Sequence, residues 1–127
     1  IMKRDMDLCR KILFAIEEQY VCTSIYNLKI DGYTTEEVAY HCKLLYEAGL
    51  IKDCVVKHAS NRIISFGVSR LTWEGHDFLD KIREDTLWNK TKGFIKDKTL
   101  PMTLDVIKEI VTAFISETLK SAMPGML

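Results

Sequence analysis

Residues 40–51 read YHCKLLYEAGLI, and the way this stretch ends decides the fold. Upstream, Thr34-Thr35-Glu36-Glu37 has the form of a capping box. The Thr34 hydroxyl can satisfy an amide of the first turn, and Glu37, three residues on, can reach back to the Thr34 amide. Val38, Cys42, Leu45 and Ala48 then fall on one helical face. Gly49 is the natural stop, because glycine takes a left-handed conformation without steric cost. Leu50 and Ile51 open a run, LIKDCVVKH over 50–58, rich in β-branched residues and read as a strand. A short amphipathic helix that turns on a glycine directly into a strand is the unit around which the rest is arranged.

Downstream, RIISFGVS over 62–69 reads as a second strand, with Ala59-Ser60-Asn61 as the turn of a hairpin. Ile64, Phe66 and Val68 alternate onto one face. Leu71 closes that strand, and Thr72 caps a long helix predicted over 73–97, with Phe78, Leu79, Ile82 and Trp88 as apolar positions. Gly75 lets this helix start close against the sheet. Pro101 interrupts it, and Thr103 caps a last helix over 104–120. Leu104, Ile107, Ile110, Val111, Phe114 and Ile115 give that helix a broad apolar stripe, suited to burial or to a contact surface. Residues 121–127 are expected to fray. Upstream of the deciding stretch, 5–20 reads as a helix capped by Asp5, with Leu8, Ile12, Leu13 and Ile16 in one stripe. Residues 21–33 break the helical pattern and read as a loop with one short strand, ending in an Asp31-Gly32 turn.

A chain of 127 residues fits one domain with a modest core. No apolar run approaches the roughly 20 residues of a membrane-spanning helix. The charged start, IMKRDMDLCRK, lacks a signal-peptide core, and Ile1 ahead of Met2 reads as a cloning remnant. Lys+Arg and Asp+Glu are both 18. Zero formal charge weighs against strong nucleic-acid binding, which draws most of its affinity from phosphate neutralisation. Cys9, Cys22, Cys42 and Cys54 form no C-x-x-C pair, and Cys9 and Cys42 lie on apolar helix faces. A reducing cytoplasm suits them. The histidines, His41, His58 and His76, are not spaced as zinc ligands, and no metal or cofactor is expected. No nucleophile string or phosphate-binding glycine loop accompanies Glu74, His76 and Asp77, so no enzyme is expected.

The element order is that of a winged helix-turn-helix: an α+β domain over 2–98, with residues 99–127 as a C-terminal helical extension that packs on it or forms a dimer contact. HCKLLYEAGLI resembles the end of a recognition helix and the start of a wing, and RLTWEGHDFL, Arg70 to Leu79, resembles the signature that follows the wing. More of the chain, in MKRDMDLCRKIL, GYTTEEVAYHCKLLYEAGLI and RLTWEGHDFLDKIREDTLWNKTK, resembles a family of uncharacterised bacterial and bacteriophage proteins catalogued as a domain of unknown function. The resemblance implies a cytoplasmic bacterial or prophage setting and no particular activity. One departure stands out: the helix that usually braces the recognition helix should fall within 21–33, which has no helical stripe.

Two functions fit this frame. In the first, a small regulator binds double-stranded DNA weakly or within an assembly, as a homodimer. Thr35, Tyr40 and Lys43 face the major groove, and Lys57, His58, Asn61 and Arg62 at the hairpin tip reach the backbone or minor groove, with Lys90 and Lys92 as further phosphate contacts. In the second, the scaffold binds a protein partner and no DNA. Glu36, Glu37 and Glu47 against the single Lys43 leave the segment 35–48 with a net charge of minus two, which favours the second. Trp73, His76 and Trp88 could frame a ligand or anion site; the plainer expectation is that such a tryptophan packs in the core.

Overall fold

A computed structural model describes residues 1–125 of the chain. Among them are five helices and a three-stranded antiparallel sheet. The elements are α1 (Met6–Gln19), β1 (Ile25–Tyr26), α2 (Thr35–Glu47), β2 (Cys54–Ala59), β3 (Arg62–Val68), α3 (Trp73–Ile82), α4 (Asp85–Asp97) and α5 (Leu104–Ala122). The chain divides into two compact units, residues 1–79 and 80 onward, and the boundary falls inside α3.

In the first unit, Asp5 caps α1 by accepting from the amides of Asp7 and Leu8. The predicted stripe of Leu8, Ile12, Leu13 and Ile16 is fully buried. α1 packs against α2, and α2 lies against β2 and β3. The sheet order is β1-β3-β2. Residues 20–34 hold the two-residue β1 and turns, with no helix.

The end of α2 is built as its sequence requires. Gly49 has φ +78°, its amide donates to the Tyr46 carbonyl at 3.0 Å, and the Leu50 amide donates to the Leu45 carbonyl at 3.0 Å. These two bonds are a Schellman motif, and buried Leu45 and Leu50 supply its apolar contact. The strand proper begins later than the sequence suggests, at Cys54. Leu50–Asp53 still runs beside Ser69–Thr72, through an isolated Ile51–Leu71 bridge and bonds from Lys52 to Arg70 and from Ser69 to Asp53.

The Leu50 carbonyl accepts from the Thr72 amide at 3.0 Å. The Thr72 hydroxyl donates to the Gly49 carbonyl and accepts from the Gly75 amide at 3.0 Å. Gly75 is pressed against Leu50 so closely that a methyl group there would collide with the Leu50 carbonyl oxygen and stand 3.0 Å from its carbon.

The structure corrects three expectations. Ile64 is 63% exposed, although Phe66 and Val68 are buried. The register shifts between Lys57 and His58, which pair with Ser65 and Ile63, so Ile64 is the extra residue of a β-bulge and alternation restarts beyond it. Trp73 is 78% exposed and is no core residue. The helix predicted over 73–97 is two helices, broken at Arg83–Glu84. Ile82 and Trp88 are both buried. Along one continuous helix they would stand roughly 120° apart, on different faces. The break resets the phase.

In the second unit α4 packs against α5. Phe94 meets Phe114 edge-on at 5.9 Å, and the Lys90 ammonium lies 4.3 Å from the Phe114 ring centre. Of the α5 stripe, Ile107 and Val111 are buried, while Leu104, Ile110, Phe114 and Ile115 are half-buried. Helix α5 continues through Ser121 and Ala122, part of the segment expected to fray. Met126 and Leu127, at the end of that segment, lie outside the described residues.

Two glycines test this packing. Gly75→Ala is expected to lower stability by about 3 kcal/mol, the upper range for overpacking, because its clash is with backbone. Gly93, inside α4, has open space around it, and Gly93→Ala is expected to raise stability by about 1 kcal/mol. Urea denaturation midpoints of the two variants report both signs.

Candidate functional site

The candidate site lies in the first unit, where α2 faces the β2–β3 hairpin. The capping box that starts α2 is complete: the Thr34 hydroxyl accepts from the Glu37 amide at 3.1 Å, and a Glu37 carboxylate oxygen accepts from the Thr34 amide at 2.9 Å. The hairpin turns on Ser60 and Asn61, both with positive φ (52° and 65°). That is the geometry of a type I′ turn, which matches the twist of its strands.

Between the helix and the hairpin is a cleft of about 420 Å³. Ala39, Val56, Ile63 and Met2 give it apolar walls; Glu36, Lys43, His58 and Asn61 give it polar ones. Tyr40 also lines it. At the hairpin end, Arg62 and Glu36 pair across the gap at 3.5 Å. The Arg62 side chain is 81% exposed, so this pair adds little to stability.

Of the residues singled out in the sequence, Tyr40, Lys43 and Asn61 line this one cleft, and Arg62 sits at its rim through Glu36. Thr35 lines a different recess, with Leu28, Asp31, Tyr33 and Val38. Lys57 is exposed, and strand alternation puts it on the face of β2 opposite Val56 and His58. Lys90 and Lys92 belong to the second unit, where their ammonium groups lie over the rings of Phe114 and Trp88. Trp73 and His76 are exposed, and Trp88 is buried.

His58, one of the hairpin-tip residues, also lines the cleft, whereas sequence reasoning missed Val56 and Ile63. A signal was present in the alternation Cys54, Val56, His58, but the bulge at Ile64 hid the matching face of β3. It also missed His41, which is 2% exposed. Its Nδ1 lies 2.8 Å from the Glu37 carbonyl, and its Nε2 accepts from the Asp5 amide at 2.8 Å. Those partners require the proton on Nδ1. The histidine thus fastens the cap of α1 to α2, and its ring and that of Tyr40 meet edge to face at 5.6 Å.

Three thiols lie in the core. Burial pushes the Cys9 thiol up from 9.0 to about 12 and raises those of Cys42 and Cys54 as well. Cys22 is exposed. Among the described residues no group of histidine, cysteine or acidic side chains could hold a metal ion. No described helix is long and apolar enough to cross a membrane.

The chain belongs to the family described as hypothetical protein DUF2513, whose match covers residues 3–101, from the start of the first unit through α4. A relative described as an uncharacterised protein of Haemophilus influenzae (strain Rd) is 44% identical over 121 residues, covering 93% of this chain and 99% of the relative. No solved structure matches the chain.

The thiols yield a prediction. Iodoacetamide at mildly alkaline pH is expected to modify Cys22 in the folded protein, and all four cysteines only after denaturation; mass spectrometry of the intact chain counts the adducts. A thiol whose folded pKa is raised stabilises the fold fully below its unfolded value. The contribution of Cys9 is therefore lost as pH climbs from about 9 towards about 12, at up to roughly 1.4 kcal/mol per pH unit.

Proposed function

We propose that the protein is a small winged-helix regulator that binds duplex DNA through α2 and the tip of the β2–β3 hairpin. The observation that carries this reading is the convergence of Tyr40 and Lys43 from α2 with Asn61 from the hairpin turn around one cleft. The scaffold supports it. The order helix, strand, helix, hairpin, helix, with sheet order β1-β3-β2, fits a winged helix in which the bracing helix expected within 21–33 is replaced by β1 and turns. In this reading α2 is the helix offered to the major groove and the hairpin is the wing. Tyr40 and Lys43 approach base edges and phosphates, and Thr35 meets the backbone at the start of α2. Lys57, Asn61 and Arg62 bind phosphates beside the wing.

The electrostatics limit the affinity. Glu36, Glu37 and Glu47 oppose Lys43 on the same helix, so single-copy binding is weak and works within an assembly. A homodimer formed through α5, whose half-buried Phe114 and Ile115 and exposed Leu119 offer apolar surface, supplies two copies to two half-sites. A cytoplasmic setting in a bacterium or a prophage suits such a regulator. A second reading, a protein-interaction module without DNA binding, is favoured by the Glu36–Arg62 pair, which engages the arginine of the wing tip with a carboxylate.

Fluorescence anisotropy on a mixed-sequence duplex at low salt separates the two. The expected Kd lies between about 10⁻⁴ and 10⁻⁶ M, the range of nonspecific binding, and weakens as salt rises. Together, Lys57→Glu and Arg62→Glu should reduce the slope of log affinity against log salt by about two. Binding no tighter than millimolar, or indifferent to salt, sinks the duplex reading. Indifference to Lys43→Glu removes α2 from it.

A further inference from the structure

We propose that the cleft between α2 and the β2–β3 hairpin binds a small dipolar molecule, with a cationic group on Glu36, a carboxylate on Lys43 and an apolar body about 10 Å long between them. The site is independent of the duplex reading. It shares Tyr40, Lys43 and Asn61 with that reading, so a bound ligand excludes DNA from them.

The spacing of the charges comes from α2 itself. Glu36 and Lys43 lie two helical turns apart, so they project from nearly the same face with their Cα atoms roughly 10.5 Å apart. Ala39 and Tyr40 stand between them on that face, and the short side chain of Ala39 leaves room where a longer one would fill the floor. Val56 from β2 and Ile63 from β3 form the opposite wall. The volume, about 420 Å³, is in the range of small-molecule sites. The cleft is thus a trough with opposite charges at its two ends and apolar walls between them.

Both charges are open to a ligand. The Lys43 ammonium rests over the Tyr46 ring, 5.0 Å from its centre, and not on a carboxylate. Arg62 reaches Glu36 Oε1 at 3.5 Å with most of its own side chain in solvent, so the pair is weak, and the carboxylate has a second oxygen to offer. Two other acids nearby are engaged elsewhere: Glu37 accepts from the Thr34 amide and Asp53 from the Cys54 amide, and neither lines the cleft. Arg62 marks the Glu36 end as the end at the hairpin tip, where His58 and Asn61 add polar groups. A ligand with one charge satisfies one end of the trough and lays an apolar tail against the charge at the other. A free α-amino acid carries both charges, but on one carbon, too close together to span the trough. A linear eight-carbon ω-amino acid matches it: with bonds of about 1.5 Å and angles near 111°, its ends lie roughly 10 Å apart.

The test is an NMR titration of the full, isotope-labelled chain with ω-aminooctanoic acid. Saturable amide shifts are expected at Glu36, Ala39, Lys43, Val56 and Ile63, with a Kd of about 0.1–1 mM, ordinary for a ligand of this size. Octanoic acid and octylamine, each with one of the two charges, should bind roughly tenfold more weakly. The same loss is expected for ω-aminobutyric acid, which is too short to span the trough. Arg62→Ala removes a competing cation and should tighten binding about twofold. Glu36→Lys and Lys43→Glu should each abolish binding. Together they restore the two charges in reverse order, and the double variant should recover binding with the ligand turned end for end; circular dichroism checks the fold of each variant. The proposal is overturned by three outcomes: no saturable shifts in the cleft, octanoic acid or octylamine binding as tightly, or a folded double variant that does not bind. The chain-length and single-charge arms need no variant, so they decide the matter even if the double variant does not fold. Ligand binding without duplex binding removes only the duplex reading. Duplex binding without ligand binding removes only this one.

Discussion

The carbonyl group of Leu50 is the point on which the first unit depends. It accepts from the Thr72 amide, and the Gly75 backbone packs against it without a side chain between. The Thr72 hydroxyl ties the same junction to the Gly49 carbonyl. Three things meet there: the end of α2, the start of the path into β2, and the first turn of α3. Each is irregular backbone whose polar groups must find partners once buried. The short strings Ala48-Gly49-Leu50-Ile51 and Leu71-Thr72-Trp73-Glu74-Gly75 are far apart in the chain, yet they are two halves of one contact. Their residue types are explained by it: a glycine that turns left-handed, a threonine that both donates and accepts, and a glycine that yields space to a carbonyl.

This explains which parts of the fold were legible. Helix caps and stops are local, so Asp5, Thr34, Glu37, Gly49 and Thr72 could be assigned from neighbouring residues alone. The hairpin turn was equally local. What was not legible depends on partners distant in sequence. The bulge at Ile64 exists because of pairing with β2, and nothing in RIISFGVS announces it. The break at Arg83–Glu84 accompanies the burial of both Ile82 and Trp88, and helix propensity does not encode it. Trp73 looked like core because of its size, but its position at the first residue of α3 leaves it outside. His41 looked like one more polar residue of a helix; only the fold brings the Asp5 amide to it.

The site was legible to a similar degree. Tyr40, Lys43, Asn61 and Arg62 could be read as exposed residues of a helix face and a hairpin tip, and four of the cleft's features follow from them. Thr35 and Lys57 belonged to the same elements but to other faces, and only a known twist and register separates the two cases. The strand β2 divides its work between its sides. Cys54, Val56 and His58 face α2, whereas Val55 and Lys57 face away. The backbone adds a further direction, since the Val56 amide and carbonyl lie in the plane of the sheet. A chain with no net charge can thus still gather a cation, a carboxylate and apolar walls around one cleft, which bulk composition cannot report.

The bulge has a consequence for reading related sequences. Along β3 the inward positions are even-numbered at Phe66 and Val68, and odd-numbered at Ile63. Parity switches once within a single strand. A relative that lacks the extra residue would pair the equivalents of Lys57 and His58 with those of Ser65 and Ile63 in an unbroken ladder, and side chains equivalent to Asn61 and Arg62 would keep their sides. A gap of one at this place in an alignment therefore removes a local kink and leaves the faces of the hairpin tip as they are.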